Sequence, residues 1–278
     1  MTEIGGSNAS LAIPIPGRAD AAVTIAWAAA TDTGKRRAAN EDSFVAKSPL
    51  FAVADGMGGH AAGDLASAAV VERLAEVVGS DFLAPRTIER ALERATADIT
   101  TIAGDNELGV GTTVTGAVLT LRDGEPYFAV FNIGDSRVYL YEGDTLVQVT
   151  VDHSLVQQLV DTGVITRAQA HNHPEGNVIT RAVGFQSQPT PDYWLLPLRA
   201  GMRLLVCSDG LTGEIEDDGL GEFLAAGLSA RETADALVAA ALAEGGRDNV
   251  TVLVVDVIES GSTAPERQSG DTAPVHNP

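Results

Sequence analysis

Acidic residues stand beside glycine or asparagine at widely separated points: Ala54-Asp55-Gly56, Gly134-Asp135-Ser136-Arg137, Ser208-Asp209-Gly210 and Arg247-Asp248-Asn249. Asn40-Glu41-Asp42 lies upstream of the first. Each of the four aspartates borders an apolar run, such as Leu50–Ala54, Tyr127–Ile133, Arg203–Cys207 or Val250–Val255. Carboxylates gathered in one place repel one another unless a cation neutralises them, and hard oxygen donors suit a divalent metal. Taken singly, each motif has a plainer reading. Asp-Gly is a common turn dipeptide, Gly134–Arg137 fits a bend inside a hairpin, and Asp55–Gly63 fits a glycine-rich strand-to-helix loop with a capping aspartate. Four aspartates at the ends of apolar segments are harder to explain as unrelated turns. Arg37, three residues before Asn40, offers paired donors that match two phosphate oxygens; its alternative is a solvated basic loop with Lys35 and Arg36.

The flanking runs are rich in β-branched residues and read as buried strands, which would hold the aspartates on a rigid frame. Strands are predicted at Val23–Ala30, Ser43–Ala46, Leu50–Ala54, Gly111–Leu121, Tyr127–Ile133, Arg137–Tyr141, Leu146–Thr150, Tyr193–Leu198, Met202–Cys207 and Asn249–Ile258. Helical spacing places Leu65, Ala69, Leu74 and Val77 on one face of Ala62–Val78, and Ile88, Leu92, Ala95 and Ile99 on one face of Pro85–Ala103. Further helices fall at Ser154–Asp161, Gly219–Ala226 and Ala230–Ala243. Tight turns between consecutive strands, with helices in pairs, predict an α+β fold: a central β-sandwich of two antiparallel sheets flanked by pairs of helices. Residues 1–22 read as a flexible leader, 23–258 as a single folded domain with an irregular region at 152–190, and 259–278 as a disordered tail.

The chain has 278 residues and a formal net charge of -20, from 38 acidic and 18 basic residues, so nucleic acid is an unfavourable partner. Its 45% hydrophobic content supports a substantial core. Cys207 is the single cysteine and sits in an apolar run, which excludes an intrachain disulfide and suits a reducing compartment. No apolar run is long enough to span a membrane and no secretory pattern opens the chain, so a cytoplasmic location is expected.

In this order, Arg37…Asn40-Glu41-Asp42, Asp55-Gly56-Met57-Gly58-Gly59, Gly111-Thr112-Thr113, Gly134-Asp135-Ser136-Arg137, Ser208-Asp209-Gly210 and Arg247-Asp248-Asn249, the chain resembles the bacterial PPM (PP2C) class of metal-dependent protein serine/threonine phosphatases. The resemblance implies the sandwich with helix pairs and two Mn²⁺ or Mg²⁺ ions, with a third, weaker ion. Asp55 and the Gly56 carbonyl, with Asp209 and Asp248, would hold the two core ions. Asp135 would hold the third, with Asn177 nearby, while Asp42 and Glu41 would act through waters. Water activated between the ions would attack phosphorus directly, without a phospho-enzyme, and Arg37 would bind the phosphoryl oxygens. Many eukaryotic members carry a histidine after the Asp-Gly pair; here Met57 cannot donate a proton, so solvent held near the third ion would serve, and His60 is assigned a structural role. Implied substrates are phosphoproteins, including Ser/Thr kinases, acted on by a monomer, with 152–190 as the flap.

Other phosphatase chemistries fit poorly. A cysteine nucleophile at Cys207 would need arginine at position 213, which is Gly213; an Asp-x-Asp motif is absent; and a calcineurin-like pattern would need aspartate at position 138, which is Val138. The rival reading is a catalytically inactive, phosphatase-like module that binds phosphoproteins.

Overall fold

A computed structural model describes residues 1–58, 62–104, 109–170, 173–185 and 188–261. In chain order the elements are β1 (Glu3–Gly5), β2 (Asn8–Pro14), β3 (Ala22–Asp32), β4 (Asp42–Lys47), β5 (Leu50–Met57), α1 (Ala62–Glu76) and α2 (Pro85–Ala103). There follow β6 (Gly111–Thr112), β7 (Val114–Arg122), β8 (Glu125–Ile133), β9 (Arg137–Glu142), β10 (Thr145–Gln148), α3 (Leu155–Asp161) and α4 (Arg167–Ala170). The last are β11 (Asp192–Pro197), β12 (Arg203–Cys207), α5 (Asp209–Thr212), α6 (Asp217–Ala225), α7 (Ala230–Glu244) and β13 (Val250–Glu259).

One sheet has the order β1-β4-β5-β7-β8-β11, with β6 paired to β5; the other runs β10-β9-β12-β13-β3-β2. Their inner faces meet in a core that includes Trp27, Phe51, Phe128, Leu204 and Val255. The Trp27 and Phe51 rings cross the interface with centroids 5.3 Å apart. Side chains alternate along a strand, so continuous apolar runs bury both faces. On β5, Phe51 and Val53 face the sandwich, whereas Leu50, Ala52 and Ala54 face α1 and α2. On β13, Leu253 and Val255 face inward, whereas Val250, Val252 and Val254 pack under α5, α6 and α7. Truncating a wholly buried ring such as Phe51 would cost about 3–5 kcal/mol.

The fold corrects three expectations. Residues 1–22 are not a loose leader: β1 pairs in parallel with β4, and β2 pairs antiparallel with β3. The short leading strands satisfy open sheet edges and so need little apolar periodicity, yet Ile13 and Ile15 are buried and the Trp27 indole N–H donates to the Gly6 carbonyl at 2.6 Å. The β1–β4 pair is therefore a parallel exception in otherwise antiparallel sheets. Leu65 is half exposed; the buried face of α1 carries Ala66, Ala69, Val70 and Leu74 instead. The stripe on α2 lies as predicted, with Ile88, Leu92, Ala95 and Ile99 wholly buried. Gly59, His60, His171, Asn172 and the 262–278 part of the tail lie outside the described residues.

Candidate active site

The antiparallel register of β4 and β5 sets Asp42 opposite Asp55. Asp42 is wholly buried where the two sheets meet, and its Oδ2 accepts from Ser208 Oγ at 2.9 Å and Thr251 Oγ1 at 2.6 Å. Ser208 and Thr251 belong to the opposite sheet's β12–β13 end, so this carboxylate ties the sheets together directly beneath Asp209 and Asp248. Both of these partners are hydroxyl groups, and the other carboxylate oxygen, Oδ1, is buried without a hydrogen-bond partner. Burial pushes its carboxyl up to about 7, the hydroxyl bonds oppose that rise, and the charges of Asp209 and Asp248 add to it.

Asp55 is fixed through its backbone. Its N–H donates to Thr113 Oγ1 at 3.0 Å, and its carbonyl accepts from the Thr113 N–H and the Thr112 hydroxyl at 2.9 and 2.8 Å. Gly56 follows where α1 closes in: a Cβ there would lie 2.0 Å from the Gly63 carbonyl oxygen. Asp209 opens α5, and the neighbouring Gly210 permits an equally close approach, since its Cβ would lie 2.0 Å from the Asn249 oxygen. Asp248 lies two residues before β13; its Oδ1 accepts from the Asn249 N–H at 2.8 Å and its Oδ2 from Arg37 Nη2 at 2.6 Å.

The loop that carries Arg37 is held by Asn249. The Asn249 side-chain amide donates to the Thr33 and Ala39 carbonyls, both at 2.9 Å, and its oxygen accepts from the Glu41 N–H at 2.8 Å. Asp135 follows β8, and adjacent Ser136 shares a 2.8 Å hydrogen bond with Thr113, the residue that also fixes Asp55. Arg137 turns away toward Asp152, with Nη2 2.7 Å from Oδ2.

These placements converge on one cavity of about 380 Å³, lined by Arg37, Glu41, Asp55, Gly56, Met57, Gly58, Asp135, Asn177, Ile179, Asp209 and Asp248. Of the residues singled out in the sequence, Asp42 lies beneath it rather than in its wall. A neighbouring hollow of about 450 Å³ shares Asp135, Asn177 and Asp209 and runs below α3 and α4. Sequence reasoning missed Asn249, Thr113 and Ser136 as supports, although each stood inside or beside a quoted motif.

The electrostatics explain what the cavity requires. Asp55 and Asp209 act on each other's carboxyls, and two bare carboxylates facing one cavity repel. Burial first, and then the charges of Asp42, Asp209 and Asp135, hold the Asp55 carboxyl well above the usual carboxylate range. Burial and the Asp209 and Asp152 charges do the same to Asp135, while burial and Asp248 raise Asp209. Oδ1 of Asp135 and Oδ1 of Asp209 are buried without a hydrogen-bond partner. Among the described residues no three carboxylate, histidine or thiol groups form a ready-made cage, so a bound ion would draw further donors from the Gly56 carbonyl and solvent. Unpartnered carboxylate oxygens, mutual repulsion and an all-oxygen donor set fit divalent cations of the Mg²⁺ or Mn²⁺ kind.

Known proteins resemble this chain in sequence and in fold. A family model described as protein phosphatase 2C matches residues 33–244. The serine/threonine phosphatase stp of Listeria innocua is 36% identical over 239 residues, covering 81% of this chain and 93% of that protein. The serine/threonine protein phosphatase PstP of Mycobacterium tuberculosis is 42% identical over 251 residues, covering 87% of this chain, which spans about half (47%) of that relative. The crystal structure of the M. tuberculosis phosphatase PstP/Ppp superposes with a TM-score of 0.76 at 39% identity, over 84% of this chain and 99% of that one. A structure of the PstP catalytic domain in complex with two manganese ions superposes with a TM-score of 0.74 at 39% identity, over 85% and 99% of the two chains.

Proposed function

The chain belongs to the protein phosphatase 2C family, and from that premise we propose which residues carry its metal-dependent hydrolysis of phosphoserine and phosphothreonine in proteins. Asp55 and the Gly56 carbonyl, with Asp209 and Asp248, hold the two core ions; Asp135 holds a weaker third. Mn²⁺ and Mg²⁺ both suit these oxygen donors. When bound, the ions neutralise the clustered carboxylates and phosphoryl charge and acidify the attacking water.

The chain's own groups do the rest. Arg37 presents its guanidinium fork to two phosphoryl oxygens and stabilises the charge that builds there. Asn249 orients it by holding the 33–41 loop. Asp42 keeps the sheet ends that carry Asp209 and Asp248 in register. Met57 contributes no proton, so the leaving oxygen takes one from solvent in the cavity. Polypeptide flanking the phosphorylated residue runs into the neighbouring hollow beneath α3 and α4, within the flap, past Asn177, which lines both spaces.

The unit responsible extends from β1 through β13 and acts as a monomer in the cytoplasm; its substrates include phosphorylated Ser/Thr kinases. The observation that carries this reading is the meeting of Arg37, Asp55, Asp135, Asp209 and Asp248 around one cavity. An intact acid set also argues against an inactive phosphoprotein-binding module. The purified protein is expected to hydrolyse an aryl phosphate and a phosphothreonine peptide with Mn²⁺ and to stop on chelation. Asp209→Asn is expected to lower turnover by about 100-fold or more with the melting transition retained. Undiminished turnover in that variant would remove Asp209 from the metal set.

A further inference from the structure

Asp135 lines the cavity; its Oδ1 is buried without a hydrogen-bond partner, and its carboxylate is otherwise bonded to its own backbone. The backbone on either side therefore governs where that carboxylate sits. On the Ser136 side the anchor is Thr113, shared with Asp55. On the Gly134 side the N–H is held by His153, and the carbonyl by His153 together with Asn132. The Gly134 N–H donates to His153 Nδ1 at 3.0 Å, and the Gly134 carbonyl accepts from the His153 N–H at 2.8 Å and the Asn132 side-chain amide at 3.0 Å. Gly134 has φ +114, and an added Cβ would meet Thr113 at 2.6 Å, so this peptide follows a path reserved for glycine.

His153 is itself buried, and its ring is gripped at the far end. Nε2 lies 3.1 Å from Asp192 Oδ2 at the start of β11, and Arg181 Nη1 lies 2.8 Å from Nε2 and 2.9 Å from Asp192 Oδ1. Arg181 also donates to the Thr190 carbonyl. Accepting at Nδ1 requires a lone pair there, which places the ring proton on Nε2, facing Asp192. In that tautomer the Arg181 Nη1 and His153 Nε2 donors stand side by side, held by the Asp192 carboxylate that both face. The His153 carbonyl accepts from the Thr180 N–H at 2.7 Å, so the flap's return segment, which carries Asn177 and Ile179 to the cavity wall, is joined to the same point.

We propose that His153 is a positioning residue: as the acceptor for the Gly134 N–H it sets the direction of the Asp135 carboxylate and couples it to the flap through Arg181 and Asp192. The consequence for metal rests on the reading of Asp135 as a ligand of the weaker ion. Two substitutions separate the roles of the ring nitrogens. His153→Asn keeps an acceptor near the Nδ1 position, whereas His153→Gln keeps a donor near the Nε2 position and removes the acceptor.

Hydrogen exchange of the Gly134 amide, followed by NMR on the full chain, reads the anchor directly, and electron paramagnetic resonance counts Mn²⁺ bound in a titration. His153→Gln is expected to speed Gly134 exchange by about fivefold to tenfold and to weaken the lowest-affinity Mn²⁺ by a similar factor. His153→Asn is expected to stay within about twofold of the parent. Unchanged Gly134 exchange in His153→Gln overturns the proposal, and so does equal impairment by both variants. Should His153→Gln fail to fold, Asp192→Asn, which removes the charged acceptor for Nε2–H, is expected to speed Gly134 exchange in the same way; no change there overturns the proposal equally. Asp135→Ala should lose the weakest Mn²⁺ while Gly134 stays protected. Retention of every ion in that variant would sink the ligand reading of Asp135, leaving the anchor to be judged by Gly134 exchange alone.

Discussion

Arg37 makes a 2.6 Å ion pair with Asp248 while its side chain remains about half exposed, so it sits at the mouth of the cavity beside a proposed metal ligand. A lysine there would keep the charge and lose the planar fork that meets two oxygens at once. Arg37→Lys is therefore expected to lower kcat/KM for a phosphothreonine peptide by about tenfold to 100-fold, through kcat as well as KM. Steady-state kinetics with an unchanged kcat/KM would place the phosphate elsewhere. The four aspartates were legible as a set because each stands at the end of an apolar run, and Arg37 because its paired donors lie three residues before Asn40-Glu41-Asp42. Asn249, Thr113 and His153 were not, because a buried polar residue acts through contacts between distant segments. Asn249 reaches Thr33 and Ala39, and His153 reaches Gly134 and Asp192. The alignment of Asp42 with Asp55 depends on strand register, and spacing along the chain does not determine it.

The first fourteen residues show how an element can escape notice. The strands at Glu3–Gly5 and Asn8–Pro14 are short, and only part of their surface is apolar, yet they complete edges of both sheets. Strands buried on both faces, such as β5 and β13, announce themselves as long apolar runs; edge strands are built on backbone pairing and leave weaker traces. Ile13 is 2% exposed and belongs to the core between the sheets, where it lies beside Val23 in register. Ile13→Ala is expected to destabilise the protein by about 2–4 kcal/mol, read by denaturant unfolding. A change below about 0.5 kcal/mol would restore the view of this segment as a loose leader. Helix α1 makes the complementary point. Its small residues Gly63, Ala66 and Ser67 allow close packing on β4 and β5, so the buried face runs through them to the predicted Ala69 and Leu74 and leaves Leu65 at its exposed edge.

At the scale of the molecule, stability and function draw on the same acids. The sandwich supplies a rigid frame, but it brings carboxylates together at one end of both sheets in a chain that already carries a net charge of -20. Burial, opposed by the Ser208 and Thr251 hydroxyls, raises the Asp42 carboxyl to about 7, and Asp55, Asp135 and Asp209 are displaced in the same direction. A carboxyl whose pKa is higher in the folded state than its unfolded value of about 4 binds more protons when folded. Stability contributed by its protonated form is therefore present near pH 4 and is lost as pH rises toward 7. In chelator, the melting temperature is expected to fall by on the order of 5 °C between pH 5 and pH 8. Divalent ions bind the deprotonated acids, so Mn²⁺ should raise the melting temperature more at pH 8 than at pH 5 and flatten that decline. Scanning calorimetry across this range, with and without Mn²⁺, tests the coupling. A melting temperature in chelator that is level or rises from pH 5 to pH 8 would mean that these acids are not held together in the folded protein at the cost of their charge.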